Sequence, residues 1–297
     1  MNALLVQLEK HPLVLELLAA CDFPSAGTKV SCGVSGGPDS MALLILAVAS
    51  GCEVTAIHVD HALRVGSENE SKIVENLAKN LGAKFVSKTI RVEPGPNLEA
   101  RARNTRYEVM THDVMTGHTA DDQAETVLIN LLRGAGLAGL SGMQRNQRHP
   151  ILALRRSQTH QLCKELEIEV VEDPSNTDPR FQRNRIRHEL IPLMNAISQR
   201  DVVAILDRQA DLFREDSILL DDLAKTIDVT DAKLLAATPI ALARRAVRQW
   251  LTEIYPPDAA TVERVLEVAR GTTLACEIGS NREVRRSQQR LQIFSKQ

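Results

Sequence analysis

Ser35-Gly36-Gly37-Pro38-Asp39-Ser40 holds the most chemistry in the fewest residues of this 297-residue chain. It follows a short apolar run rich in β-formers, Lys29 to Val34. It precedes Met41, Leu44, Ile45 and Val48, which recur at helical spacing. Two glycines let a backbone approach a ligand closely, and a helix N-terminus offers unpaired N–H donors with a partial positive charge. Strand, loop and helix together describe a phosphate cradle. It is not the G-x-x-x-x-G-K-S/T loop, whose lysine has no counterpart here. An aspartate beside phosphates is repulsive unless a cation lies between them, so Asp39 is a candidate Mg²⁺ ligand. Taken alone, the same residues also describe a tight strand–helix turn capped by Asp39.

A second constellation is His118-x-x-Asp121-Asp122-x-x-Glu125. Asp121 and Glu125 share one helix face, and His118 precedes the first turn. Acids at the end of a strand suit Mg²⁺ or an ammonium group; they also suit a helix N-terminus that sets acids against its macrodipole. Asp60 and His61 close the second strand, where a nucleotide sits in such folds; a capped turn is the alternative. A third feature is basic. From Thr126 to Lys164 there is no acid, yet Arg133, Arg145, Arg148, Arg155, Arg156 and Lys164 lie there. Arg180, Arg183, Arg185 and Arg187 follow within eight residues. Arginine is the preferred partner of phosphates and stacked bases, so this stretch suggests an RNA-facing surface, with a solvated face as the alternative. Arg244, Arg245, Arg248, Arg282, Arg285, Arg286 and Arg290 extend the series. Aromatics are only 3%, too few for a stacking platform, which suits folded RNA better than generic single strands.

The elements that must position these residues alternate in period. Glu53–Val59 and Lys84–Ile90 read as strands, and His112–Thr116 as a weaker one. Ser67-x-x-Glu70 is a capping box opening a helix to Leu81, Asn97 caps a helix to Met110, and Ala120–Arg133 is a strong helix stopped by Gly134. Strands at this spacing, separated by helices, predict an α/β fold: a parallel sheet with helices on both faces. The polar clusters 35–40, 60–61 and 117–118 all fall at carboxyl ends of strands, where such sheets bind ligands. Beyond them we expect a mobile Gly-rich loop at 134–143, an edge strand at Pro150–Leu154 and a helix at Thr159–Glu167. Turns follow at Glu172–Phe181, and then a helix at Asn184–Asn195 that Pro192 interrupts or ends. From residue 201 the pattern is helical and closes on a short hairpin at 274–294. This predicts a catalytic domain over 1–205 and a smaller, mainly helical domain over 206–297.

Composition excludes several classes. Lys plus Arg is 36 and Asp plus Glu 38, so the net charge is −2, which argues against a globally basic coat protein. No run of about 18 apolar residues suggests a membrane span. The N-terminus has no basic n-region or cleavage site and reads as a short amphipathic helix, giving a cytoplasmic expectation. Five cysteines, with no C-x-x-C, read as buried thiols rather than a disulfide framework or a metal site.

The hexapeptide resembles the PP-loop of ATP pyrophosphatases, which implies an adenine nucleotide α-hydrolase-like fold and cleavage of ATP to AMP and pyrophosphate. Five further blocks narrow it: HVDHALRVGSENE at 58–70, LEARARNTRYEVM at 98–110, GHTADDQAETVLINLLRGAGLAGLSGM at 117–143, PILALRR at 150–156 and EDPSNTDPRFQRNRIRHELIPLM at 172–194. In this order they are similar to the tRNA(Ile)-lysidine synthetase family over residues 29–197; residues 201–297 match only loosely. The resemblance implies ligation of lysine to C2 of the wobble cytidine of the CAU-anticodon isoleucine tRNA. It implies ATP bound by Ser35, Gly36, Gly37, Pro38, Asp39, Ser40, Asp60, His61 and His118, with Mg²⁺ on Asp39. It assigns Arg103 to the ATP phosphates, Asp122 and Glu125 to lysine, and catalysis to Asp39, Arg103, Asp122 and Glu125. For the RNA, Arg133, Arg145, Arg148, Arg155, Arg156, Arg183, Arg185 and Arg187 are the candidates. Another PP-loop tRNA enzyme, a 2-thiocytidine synthetase, is the nearest alternative, although cysteine pairs would be expected of it. A small-molecule PP-loop ligase leaves the arginines unexplained, and a non-catalytic nucleotide sensor would bind ATP without releasing pyrophosphate. The helical stripes serve either a core or a homodimer interface.

Overall fold

The computed structural model of the chain describes residues 7–8, 10–60, 67–89, 113–171 and 177–295. His61, Arg103, the helix expected from Asn97 and the start of the 172–181 turn lie outside them. In chain order the first unit contains α1 (Pro12–Leu18), β1 (Lys29–Gly33), α2 (Pro38–Ala49), β2 (Glu53–Asp60), α3 (Ser67–Asn80), β3 (Lys84–Thr89) and β4 (Met115–Thr116). It continues through α4 (Ala120–Leu132), α5 (Leu137–Leu140), α6 (Arg156–Glu165), α7 (Gln182–Arg185) and α8 (Ile191–Ser198). The long helix α9 (Val202–Lys225) follows, then α10 (Ala232–Ala237), α11 (Ile240–Leu251), α12 (Ala259–Arg270) and strands β5 (Ala275–Gly279), β6 (Arg282–Ser287) and β7 (Arg290–Ser295). Packing divides the chain into residues 1–210 and 211–297, where the sequence suggests 1–205 and 206–297; the division falls inside α9.

The strands of the first unit run parallel in the order β3-β2-β1-β4, flanked by helices. The chain steps outward from β1 through β2 to β3 and then crosses back to add β4 on the other side of β1. That reversal makes a crevice beyond the carboxyl ends of β1 and β4, the place where open α/β sheets bind ligands. Helix α2 packs on α1, α6, β1 and β2. Every residue from Ser40 to Ala47 is buried, which suits a helix apolar all round. The loop that α2 starts from is thereby anchored to the most deeply packed element of the unit.

Three expectations are corrected here. The Gly-rich stretch after Gly134 contains α5 and is tied down by side-chain amides. Gln123 Nε2 donates to the Met143 carbonyl at 2.9 Å, the Met143 N–H donates to Gln123 Oε1 at 2.7 Å, and Asn130 Nδ2 donates to the Gly139 carbonyl at 2.8 Å. A glutamine that pairs both ways with one backbone residue imitates a strand partner, a feature that glycine content does not reveal. Pro150–Leu154 is a run of turns rather than a strand. The Leu152 N–H donates to the His149 carbonyl and the Leu154 N–H to the Ile151 carbonyl, while Ile151, Leu152 and Leu154 are all buried. The apolar residues fill the core without joining the sheet. The helix expected at 184–195 is three pieces, α7, a π-turn over Ile186–Leu190, and α8 with Pro192 in its first turn. Proline has no N–H to give, and the widened turn ahead of it absorbs the break.

The second unit buries Val247, Val265, Leu266, Val284 and Leu291 between helices and a three-stranded antiparallel sheet, ordered β5-β6-β7. The sequence predicts a short hairpin at 274–294, and the structure has one strand more. The extra strand comes from two tight turns whose central residues have positive φ: Ser280 and Asn281 at 50° and 57°, and Gln288 and Gln289 at 47° and 63°. Such turns favour Asn and Gly, so Gln288-Gln289 carries no turn signal.

Candidate active site

The glycine loop is held from both sides. Gly36 takes φ +94°, and a Cβ there would lie 2.7 Å from Val171 Cγ2. The Val171 N–H also donates to the Gly36 carbonyl at 2.9 Å. Inside the loop, Ser40 Oγ accepts from the Ser35 N–H at 3.1 Å, lies 3.2 Å from Ser35 Oγ and donates to the Gly37 carbonyl at 2.8 Å. Pro38 and Asp39 open α2 behind Gly37. The loop is a preformed turn, with α2 pointing its N-terminus outward. Buried His58, which the sequence did not single out, places Nδ1 2.8 Å from the Val34 carbonyl and braces the chain just ahead of Ser35. Asp60 ends β2, half-buried.

On the other side of the crevice, Gly117 lies against the loop. A Cβ at Gly117 would sit 2.7 Å from the Asp39 carbonyl oxygen and 2.9 Å from its carbon, so only glycine lets the chain leaving β4 approach the first turn of α2. Gly117→Ala is expected to cost about 1–3 kcal/mol through forced backbone separation, read as a lowered thermal midpoint. The next residue, His118, is joined to His149 through Thr116, whose Oγ1 lies 2.7 Å from His118 Nδ1 and 2.8 Å from His149 Nδ1. Burial, with the Arg148 charge beside it, pushes His149 below the usual histidine range.

Helix α4 then presents its acids inward. Glu125 is fully buried, Asp122 nearly so. Three guanidiniums converge on them. Arg156 donates through Nη1 to Glu125 Oε1 at 3.1 Å and through Nη2 to Asp122 Oδ1 at 3.0 Å. Arg183 Nε donates to Glu125 Oε2 at 2.6 Å, and Arg187 Nε donates to Glu125 Oε1 at 2.7 Å. Arg156 also reaches the loop, its Nε 3.4 Å from Asp39 Oδ2, while buried Thr159 donates its hydroxyl to Asp39 Oδ1. One guanidinium thus touches Asp39, Asp122 and Glu125 at once. Helix α6 supplies this cross-brace because Arg155 and Arg156 begin it, with the Arg156 N–H bonded to Asp121 Oδ2 at 2.8 Å.

The carboxyls differ in their electrostatics. Burial pushes Asp39 above the ordinary carboxylate range, and the bonds from Thr159 and Arg156 only partly offset it. Burial works the same way on Asp122, but Arg156, His118, Arg183 and the Thr119 N–H outweigh it and hold Asp122 low. At Asp121, burial is likewise outweighed by Arg155 and the Arg156 N–H. Asp121 and Asp122 therefore bind protons less readily in the folded chain than in the unfolded one. Their contribution to stability is complete above the unfolded carboxylate value of 3.8 and is lost as pH falls through the lower folded values. Urea midpoints are expected to drop below about pH 4, and less steeply in Asp121→Asn.

The residues assigned to RNA from the sequence divide into groups. Arg156, Arg183 and Arg187 face the acids, and Arg155 pairs with Asp121 and with Asp201. Arg145 pairs with Asp207, and exposed Arg185 with Glu189. Arg133 is exposed, and neither it nor Arg148 has an acidic partner among the described residues. Gly117, Thr159, His58 and His149 were missed as supports of the site. Only Gly117 and His149 carried a local signal, beside His118 and inside the basic run.

Comparison with known proteins decides the family. A PP-loop domain model matches residues 12–194, more than half of the chain, and a TilS substrate binding domain model matches residues 231–292. The tRNA(Ile)-lysidine synthase of Rhodococcus erythropolis is 39% identical over 241 residues, covering 76% of this chain and 74% of that one. That of Mycobacterium tuberculosis is 37% identical over 279 residues, covering 86% and 84%. The chain belongs to the tRNA(Ile)-lysidine synthase family. The match at 231–292 extends the family likeness into the segment whose sequence motifs resemble it only loosely. Among solved structures, the U34-tRNA thiolase NcsA from Methanococcus maripaludis, with its 4Fe–4S cluster, aligns with TM-score 0.52 at 14% identity. It covers 68% of this chain and 78% of the thiolase, a likeness of fold alone. The PP-loop domain that matches is one that uses ATP. No helix among the described residues is long and apolar enough to cross a membrane.

Proposed function

We propose that this chain joins lysine to C2 of the wobble cytidine of a CAU-anticodon isoleucine tRNA, at the expense of ATP, to form lysidine. The observation that carries the reading is the reach of Arg156. It spans Asp39 on the ATP loop and the Asp122–Glu125 pair, so the two half-reactions share one small site.

C2 of cytosine is a poor electrophile because its oxygen is a poor leaving group. Attack of that oxygen on the α-phosphorus of ATP breaks the bond to pyrophosphate and leaves an adenylated base. Loop 35–40 holds the departing pyrophosphate at the α2 N-terminus, where fixed N–H dipoles meet the growing charge. The lysine ε-amine then attacks C2 and expels AMP. The ammonium form is held by Asp122 and Glu125; it first gives a proton to that carboxylate pair, and the neutral amine so formed attacks C2. The wobble base must leave its stack to reach the crevice.

For Mg²⁺ the donor set is thin but suitable. Among the described residues no cage of three His, Cys, Asp or Glu side chains is present. Mg²⁺ in phosphoryl sites commonly takes one or two carboxylates and completes its shell with phosphate oxygens and water. Asp39 is such a carboxylate, half-buried and only partly countered, and the ion would offset the phosphate charge there.

Nothing favours sulfur transfer instead. Burial pushes the thiols of Cys21, Cys32 and Cys163 up to about 12, the wrong direction for a sulfur-carrying thiolate.

The direct test is ATP- and Mg²⁺-dependent incorporation of labelled lysine into bulk tRNA. Label confined to the CAU isoleucine tRNA supports the reading. Pyrophosphate release without lysine label points to another nucleophile on the same scaffold. For tRNA contact, Arg133 and Arg148 are the best candidates because neither is engaged by an acid among the described residues. Arg133→Ala and Arg148→Ala are each expected to weaken tRNA binding and to lower the salt slope by about 1. Unchanged affinity and slope would remove those residues from the RNA surface.

A further inference from the structure

We propose that Arg156, Arg183 and Arg187 keep the acid pair closed and make lysine binding wait for ATP. This rests on the reading that Asp122 and Glu125 take the lysine amine. The three guanidiniums face three carboxylates, Asp39, Asp122 and Glu125, at distances of 2.6 to 3.8 Å. The cluster is charge-balanced as it stands, and Glu125 is sealed from solvent behind the arginines. An ammonium entering it meets acids already neutralised and adds an uncompensated positive charge in a low-dielectric place.

A triphosphate changes that balance. It brings net negative charge to loop 35–40, and arginine binds phosphate bidentately more readily than any other side chain. Arg156 already bridges the loop and the acids, so phosphate at the loop competes directly for it. Arg183 and Arg187 sit on α7 and the π-turn that follows, a widened register of the kind found where helices carry function. Each guanidinium drawn to phosphate leaves carboxylate oxygen for the ammonium. Lysine and ATP are then coupled ligands, each tightening the other.

The test is equilibrium dialysis of labelled lysine against the full chain without tRNA, with and without α,β-methylene ATP and Mg²⁺. Wild type is expected to bind lysine at least about tenfold more tightly with the nucleotide. Arg187→Gln is expected to bind lysine nearly as well without nucleotide as with it, and Arg187→Lys to keep the dependence. Arg183→Gln repeats the test if Arg187→Gln does not fold. Equal lysine affinity with and without nucleotide in wild type would overturn the coupling while leaving the lysine site intact. Undiminished nucleotide dependence in a folded Arg→Gln variant would remove the arginines from the role. Lysine bound in neither state, by wild type or variant, would overturn the lysine-site reading itself.

Discussion

Glu125→Gln is expected to lower the unfolding free energy by about 3–5 kcal/mol and to abolish lysine incorporation into tRNA. Glu125 has no exposed side-chain surface and accepts from Arg156, Arg183 and Arg187. Removing its charge leaves three guanidiniums facing Asp122 and Asp39, a partly buried excess of positive charge. Breaking a buried ionic cluster by taking out one partner costs far more than the cluster itself contributes, because the remaining charges have lost their water. The functional loss has a separate cause, since a neutral amide neither holds an ammonium nor accepts its proton. The two are separated by urea unfolding and by lysine incorporation below the unfolding transition. A variant as stable as wild type would contradict the buried network.

Asp39→Asn is expected to behave in the opposite way. Pyrophosphate release should fall by about 10²–10³-fold, the scale of losing one charge-stabilising group at a developing phosphate charge. Stability should hold or rise. Burial keeps the Asp39 carboxyl above the ordinary range, so the fold already disfavours its charge, and a neutral amide of the same shape relieves that cost. The bond from Thr159 survives, because the amide oxygen still accepts from the hydroxyl. A group that destabilises the fold and serves the reaction is the usual stability–activity exchange. The measurements are a thermal melt and tRNA-dependent pyrophosphate release. Full release with an unchanged melt would remove Asp39 from the reaction.

Two aspartates at helix starts can thus carry opposite energetic signs, and a sequence pattern does not separate them. Asp39 and Asp122 are both helix-start aspartates by sequence. Burial dominates one, whereas Arg156, Arg183 and His118 overcome burial at the other. The difference comes from side chains 34 and 61 positions away from Asp122 along the chain.

The sequence by itself determined the alternation of strands and helices, the glycine loop between β1 and α2, and the acids that open α4. These are local: periodicity sets an element, and a glycine pair or capping residue sets its end. It also determined which motifs belong together, because five blocks in one order are specific where each alone is not. The tertiary structure decided the rest. Strand order brought β4 beside β1 and so made the crevice, which chain order cannot state. Close packing made Gly117 obligatory against Asp39. Most of all, it divided the arginines. Arg183, Arg185 and Arg187 look alike in the sequence, yet the first and last reach Glu125 while the middle one pairs outward with Glu189. Helical geometry puts residues four apart on one face and the residue between them on another, and only the fold says which face meets the buried acids.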